Sequence, residues 1–122
     1  MLGPGWTSRM MQSVMFDLLS NPDAVEAIAA SGRVYAQRQE GLANALSAAV
    51  VAHTAGDGLN AWLPVADERS ATVSLAAAGI RVAPGAPCQL GEADPHVRVT
   101  VALVGADDVE SIAGALATAT RA

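Results

Sequence analysis

The chain has 122 residues, of which 52% are apolar and only 3% aromatic, so one domain with a core of small aliphatic side chains is expected. Its net charge is −5, and it contains no run of basic residues of the kind that predicts a nucleic-acid-binding surface. The single cysteine rules out an internal disulfide, and the sequence shows neither a secretory signal pattern nor an apolar run approaching ~18 residues, so a cytoplasmic protein without a membrane span is expected.

Three helices are predicted in the first half of the chain. Thr7 is expected to cap the first of them, and the pair Asn21-Pro22 to end it and begin the second. Ser31-Gly32 is predicted to break or bend the chain before a longer helix that reaches Val50. Residues 1–20 are therefore interpreted as an N-terminal arm and residues 21–122 as the main domain.

Strand and helix signals then alternate. Leu59, Ala61 and Leu63 alternate with polar or aromatic neighbours, which is typical of a half-buried strand. Asp67 is expected to cap the next helix at its N-terminus, and Gly79 to end it. A short strand over Ile80–Ala83 follows.

The last strand and the last helix have the clearest patterns. Val97, Val99, Val101 and Leu103 are predicted to form one face of the strand, with Arg98, Thr100 and Ala102 on the other. Asp107 is expected to cap the final helix, whose apolar residues recur at helical spacing. The predicted class is α+β: an N-terminal helical arm plus a long helix, then β-α-β-β-α. The three-stranded sheet is mainly antiparallel and covered by helices, with the last strand between the other two.

Arg98 is the most informative side chain, because it is a lone charge among Val, Thr, Ala, Leu and His. A guanidinium group can hold a carboxylate through two parallel, charge-assisted hydrogen bonds. The alternatives are a solvated charge on a sheet face or an internal salt bridge. No catalytic motif, phosphate-binding loop or metal-ligand spacing appears, and no nucleophile can be paired with a base.

The stretch from Asp57 to Val104 resembles the C-terminal small domain of fold-type-I pyridoxal-phosphate (PLP) aminotransferases, and most of all the aminotransferase half of GntR/MocR-type transcriptional regulators. The segments that carry the resemblance are GLNAWLPV, VAPG and VRVTVAL, in that order. It implies that Arg98 binds the carboxylate of an amino-acid-like ligand, and that Asn60, Trp62, Pro84 and Gly85 line the cleft. The family often has phenylalanine three positions after the glycine, where this chain has Cys88.

The resemblance also implies PLP, which such enzymes hold as an aldimine on a lysine. This chain contains no lysine, because its seven basic residues are all arginine, and a guanidinium group stays protonated. We therefore expect PLP in the intact parent protein and none on this chain alone. The expected partners are a large PLP domain of the same polypeptide, an amino-acid-like small molecule in the parent and a second copy of the chain. The fragment itself is expected to make no direct contact with nucleic acid or membrane.

Three functions remain open at this point. The first is a non-catalytic C-terminal fragment of a GntR/MocR-type regulator that contributes carboxylate binding and packing, with the small domain of a metabolic aminotransferase as its close variant. The second is a free-standing α+β dimerisation module without a ligand site. The third, an independent small enzyme, has the least support, because no nucleophile and base can be paired.

Overall fold

The computed structural model describes residues 8–54, 56 and 58–121 of the chain. These residues form a mixed α+β arrangement, so the predicted fold class is confirmed. Contacts divide the chain into two compact units, with the division after Val34. The elements are α1 (Arg9–Ser20), α2 (Pro22–Ala48), β1 (Asn60–Pro64), α3 (Glu68–Ala77), β2 (Ala83–Pro84), β3 (His96–Thr100) and α4 (Val109–Arg121), with 3₁₀ turns at Ala86–Cys88 and Val101–Leu103.

In the first unit, side-chain caps begin both helices. The Ser8 hydroxyl accepts a hydrogen bond from the Met11 amide at 3.4 Å, whereas the predicted cap Thr7 lies outside the described residues. The Asn21 side chain accepts from the Asp23 amide at 2.9 Å, directly before Pro22 at the first helical position. The prediction that Asn21-Pro22 separates two helices is confirmed, because the asparagine satisfies a free amide and the proline has none to satisfy.

Helix α2 runs without interruption from Pro22 to Ala48, so the predicted break at Ser31-Gly32 is wrong. The Ser31 hydroxyl donates to the Ala27 carbonyl at 2.9 Å, which satisfies it inside the helix. A glycine in a helix costs only about 1 kcal/mol relative to alanine, which a 27-residue helix tolerates. Local turn propensity is therefore overridden at this position.

The sheet has the order β1-β3-β2, and both pairs are antiparallel, as predicted. Two predicted strand boundaries are wrong. Instead of Ile80–Ala83, β2 consists of Ala83–Pro84, an edge strand that a proline without an amide hydrogen keeps short. The last strand ends at Thr100, because Val101–Leu103 turns into a 3₁₀ helix and leaves Leu103 85% exposed rather than on the buried face.

One aliphatic core lies in the second unit, between one sheet face and the helices. Ala61 and Leu63 of β1 and Val97 and Val99 of β3 are buried on that face, as their alternation predicts. The largest fully buried side chains are Leu42, Leu46, Leu63, Leu75, Leu116, Val97 and Val101. Small aliphatic side chains therefore fill the interior, as the composition predicts.

The two C-terminal helices differ in how well their caps were predicted. Asp67 caps α3 as predicted, and the hydrogen bond that its carboxylate accepts from the Ser70 amide at 2.7 Å holds the pKa of Asp67 below its usual range. Helix α4 begins at Val109, so the residue before it is Asp108, and the predicted cap Asp107 is wrong. The Asp108 carbonyl accepts from the Ile112 amide at 2.9 Å.

Among the described residues, no helix is long and apolar enough to cross a membrane.

Helix α2 ends with a residue in a conformation that its side chain disfavours. Val50 has a φ of 57°, and the chain closes the helix end through a hydrogen bond from the Val51 amide to the Leu46 carbonyl at 2.9 Å. This left-handed position after a helix is one that glycine normally occupies. A β-branched residue there costs roughly 1–2 kcal/mol.

We predict that Val50→Gly raises the free energy of unfolding by about 1 kcal/mol, because it relieves this strain at an exposed position. Val73→Gly is the matched control, since Val73 is an exposed valine inside α3 and its replacement should lower the free energy of unfolding by a similar amount. Urea denaturation of the three proteins measures both changes. Destabilisation by Val50→Gly equal to that of the control would contradict the strain argument.

Candidate functional site

The sheet face opposite the core carries a row of side chains across all three strands. Trp62 of β1 and Ala83 of β2 both pair with Arg98 of β3, one on each side of it. Side chains of paired residues lie on the same face of a sheet, and Val97 and Val99 point to the buried face, so Arg98 points away from the core. The alternation of β3 thus directs its valines to the core and Arg98 to the opposite face.

Arg98 has donors that the described protein does not satisfy. Its Nε is buried and has no hydrogen-bond partner among the described residues. One terminal nitrogen, Nη1, lies 3.8 Å from the Cys88 Sγ, a weak acceptor. The ion pair found in the described part of the chain joins Arg33 to Glu26, so the internal salt bridge considered for Arg98 is not observed there. A half-buried arginine whose Nε lacks a partner and whose Nη1 contacts a weak acceptor favours an anionic ligand.

The turn after β2 places backbone against the site. The Gly85 amide donates to the His96 carbonyl at 2.8 Å, which holds the turn to the beginning of β3. A Cβ at Gly85 would lie 2.6 Å from that carbonyl oxygen and 3.1 Å from Cζ3 of Trp62. Gly85 has a φ of −77°, so close approach, and not a left-handed conformation, is what requires glycine here.

A pocket of about 270 Å³ adjoins Arg98, because two of its lining residues are Cys88, which contacts Arg98, and Trp62, which pairs with it; Arg98 itself does not line the pocket. The rings of Trp62 and His96 meet edge to face in its wall, with centroids 6.3 Å apart. His96 Nδ1 lies 2.6 Å from the Asp94 carbonyl, which can only accept, so Nδ1 carries the hydrogen. The lining residues are Thr54, Trp62, Cys88, Gln89, Ala93 and His96. The pocket therefore offers an aromatic wall, a thiol and an imidazole next to the guanidinium group.

The predicted site residues occupy different positions around this face. Trp62, Gly85 and Arg98 lie together, as described above. Asn60 shares the face of Trp62, and its side-chain oxygen accepts a hydrogen bond from the Thr100 hydroxyl at 3.2 Å. Pro84 pairs with Val97, so the register assigns it to the opposite face from Arg98, although it is exposed at the sheet edge. Ligand contacts by any of these residues stay predictions.

Of the residues that line the pocket, the sequence predicted only Trp62 as part of the site. It predicted no role in the site for Cys88 or His96. His96 precedes Arg98 by two positions in β3, so the strand period could have placed it on the same face. No sequence signal places Cys88 near Arg98, because the loop between them sets that contact. Among the residues that the structure describes, no group of three or more His, Cys, Asp or Glu could hold a metal ion.

Comparisons with known proteins identify what the chain is similar to. No family model matches it. Over 112 residues, which are 91% of the chain, it is 30% identical to the vitamin B6 salvage pathway transcriptional repressor PtsJ of Salmonella typhimurium. An aminotransferase from Staphylococcus aureus superposes on 82% of the chain with a TM-score of 0.64 and 21% identity, which shows a shared fold. The chain spans 26% of the repressor and 27% of the aminotransferase, about a quarter of each.

These similarities confirm the resemblance of the chain to the C-terminal small domain of aminotransferase-like proteins. The chain has an aminotransferase-like fold and is similar in sequence to part of a transcriptional repressor.

We predict that Gly85→Ala destabilises the protein by roughly 1–3 kcal/mol, because the new methyl group meets a backbone carbonyl that cannot move alone. Gly114→Ala is the matched control. A Cβ at Gly114 meets no other atom within 4 Å, and alanine favours the interior of α4, so that variant should gain about 0.5–1 kcal/mol. Urea denaturation measures both changes, and stabilisation by Gly85→Ala would refute the close approach.

Proposed function

We propose that the chain is the small domain of a PLP-dependent aminotransferase-like regulator of the GntR/MocR type, in which Arg98 binds the carboxylate of an amino-acid-like effector. In this proposal the domain works in the cytoplasm, contributes recognition and packing, and has no catalytic activity of its own. The observation that carries the proposal is the Arg98 guanidinium group, which is half-buried, lacks an ion-pair partner among the described residues and lies beside a pocket.

The surroundings of Arg98 suit a carboxylate in three ways. The guanidinium group presents parallel donors in a fixed fork, which match the two oxygens of a carboxylate. Trp62 supplies an apolar wall next to Arg98, and such a wall excludes water and strengthens the charge-assisted bonds. Cys88 is the neighbour that a ligand oxygen would displace from Nη1, and a thiol is a weak competitor for that donor.

The residues of this chain do not fit covalent attachment of PLP through lysine, because the sequence contains no lysine. We therefore propose that PLP belongs to a large domain of a longer polypeptide, and that this chain supplies the side of the cleft that orients the ligand. The similarity to a transcriptional repressor of a vitamin B6 salvage pathway supports this proposal. Contact with DNA is assigned to other parts of such a polypeptide, because this chain is acidic overall.

The small domain of a metabolic aminotransferase is the second candidate. It is favoured by the superposition on an aminotransferase, which at 21% identity supports the fold alone. The regulator has the stronger support, because the match to the repressor covers 91% of the chain at 30% identity. A dimerisation module without a ligand site does not account for an arginine with open donors beside a pocket.

The carboxylate proposal predicts that acetate, but not acetamide, shifts the Nε–H resonance of Arg98 in ¹⁵N-edited NMR spectra at constant ionic strength. Arg98→Gln should weaken acetate binding, followed through backbone amides of β3, by roughly ten- to a hundredfold, the range of lost charge-assisted hydrogen bonds. Arg81→Gln, which removes the same charge from an exposed position, is the control and should change affinity by less than about twofold. Equal losses in both variants, or no acetate response in the unmodified chain, would refute the proposal.

We also propose that α1 contributes to packing against a second copy of the chain. Its large apolar side chains are exposed, with Met10 at 75%, Phe16 at 70% and Leu19 at 59%. Exposed apolar surface of this kind is typical of an interface. Trp6, which belongs to the same predicted N-terminal arm, lies outside the described residues.

Sedimentation velocity should therefore show concentration-dependent self-association of the chain. Exchanging Met10 and Phe16 together for serine should raise the dissociation constant at least roughly tenfold, because their apolar area no longer leaves water on association. Leu90→Ser is the control, since Leu90 is fully exposed in a different region. A monomer at high concentration, or the same weakening by the control, would contradict the role of α1.

A further inference from the structure

The loop that carries Cys88 begins after Gly85 and ends at His96, and a hydrogen bond joins these two residues. At Gly85 the backbone leaves the sheet, because the Gly85 carbonyl accepts from the Cys88 amide at 2.8 Å and so closes the 3₁₀ turn. The chain returns at His96, whose carbonyl accepts from the Gly85 amide at 2.8 Å. Two amides at this junction, those of Ala86 and His96, donate to a side chain instead of to the ladder between β2 and β3. Backbone amides need partners wherever they lie partly buried.

Glu68 supplies both partners from the first turn of α3. Its Oε1 accepts from the His96 amide at 3.2 Å, and its Oε2 accepts from the Ala86 amide at 3.3 Å. One carboxylate thus bridges the two ends of the loop 86–96, and charge-assisted bonds of this kind are stronger than those of a neutral side chain. Asp67 caps α3 through the Ser70 amide, so the helix start does not need Glu68 for this purpose.

This bridge has a consequence for the Arg98 site. Cys88, Gln89 and Ala93, which line the pocket, all belong to the bridged loop. Cys88 is also the residue that contacts Nη1 of Arg98. The position of the pocket wall relative to the guanidinium group therefore depends on how the ends of the loop are fixed.

We propose that Glu68 is a positioning residue, whose carboxylate clamps both ends of the loop 86–96 and so holds the pocket wall against Arg98. This inference deepens the proposed function and rests on it, since it assigns Glu68 a part in carboxylate binding at Arg98. Glu68 acts through the backbone amides of Ala86 and His96 and does not itself contact the ligand.

The charge of Glu68 and its clamp have opposite effects on acetate affinity, so a substitution at Glu68 distinguishes them. A negative charge near the end of β3 repels an incoming anion, so its removal should leave acetate affinity unchanged or raise it. Loss of the clamp should lower the affinity. In Glu68→Gln the amide nitrogen is a donor and cannot accept from a backbone N–H, so one of the two bonds is lost while size is kept.

The experiment is the acetate titration by NMR, applied to Glu68→Gln and to two controls in the full chain. Asp67→Ala removes the cap of the same helix and leaves the clamp in place, which controls for the stability of α3. Glu110→Gln removes a first-turn carboxylate from α4, which controls for charge. We expect Glu68→Gln to raise the dissociation constant of acetate roughly threefold to tenfold, the effect of one lost hydrogen bond. Both controls should stay within about twofold.

An affinity within about twofold of the unmodified chain in Glu68→Gln would overturn the proposal. An equal loss in Asp67→Ala would also overturn it, since helix stability would then account for the effect. Urea denaturation establishes that each variant is folded under the conditions of the titration.

A second readout separates failure of the clamp from failure of the proposed function. Cys88 is the single cysteine of the chain, so its reaction with the neutral reagent N-ethylmaleimide reports on the loop. Rates are compared on the high-pH plateau, where the reaction rate no longer depends on pH. If the unmodified chain does not bind acetate, the proposed function fails. A plateau rate that changes at least threefold in Glu68→Gln, but not in Asp67→Ala, still supports the clamp, and equal rates overturn it.

Discussion

The antiparallel pairing of β3 with both of its neighbours is the constraint on which the rest of the structure depends. Because β3 is central, Val97 and Val99 are buried under the helices. The side chain of Arg98, which lies between them in the strand, is therefore on the opposite face. The backbone bonds to β1 on one side and β2 on the other fix the strand without help from the guanidinium group. Arg98 is therefore positioned by hydrophobic burial of its neighbours, and its Nε has no partner among the described residues.

The site is built at the edge where the sheet is weakest. β2 has only two residues, and its second residue is a proline that has no amide hydrogen to donate to the ladder. The chain compensates with contacts from outside the strand, through Gly85 packed on His96 and through the carboxylate of Glu68. An edge held by a side chain can be adjusted by single substitutions, whereas a central ladder cannot.

Much of the fold could be predicted from the sequence, because its signals are local. Period-two alternation identified β1 and β3, Asn21-Pro22 and Asp67 marked helix starts, and the crossover rule gave the strand order. The errors occurred where a local turn or strand signal did not decide the conformation. Helix α2 continues through Ser31-Gly32. Of the predicted strand over Ile80–Ala83, only Ala83 lies in β2.

The site could be predicted only in part, for the same reason. Arg98 and Trp62 were predicted from pattern and resemblance, and they are neighbours across one strand pair. The contact of Cys88 with Arg98 depends on a loop of no regular pattern. The bridge of Glu68 joins positions 18 and 28 residues away along the chain, and neither separation has a period that a sequence would show.

The proposed recognition of a carboxylate, by a domain that does not react with it, suits a regulatory role on physical grounds. A ligand shifts a conformational equilibrium only by the difference between its affinities for the two states. If one half of a cleft holds the reactive group and the other holds the carboxylate through Arg98, the ligand contacts both only when the halves are close. Each charge-assisted hydrogen bond from the guanidinium group then stabilises the closed state of the cleft, because that bond is absent in the open state. The clamp at Glu68 adds to this effect, since a pocket wall ordered in advance lowers the entropy that closure must lose.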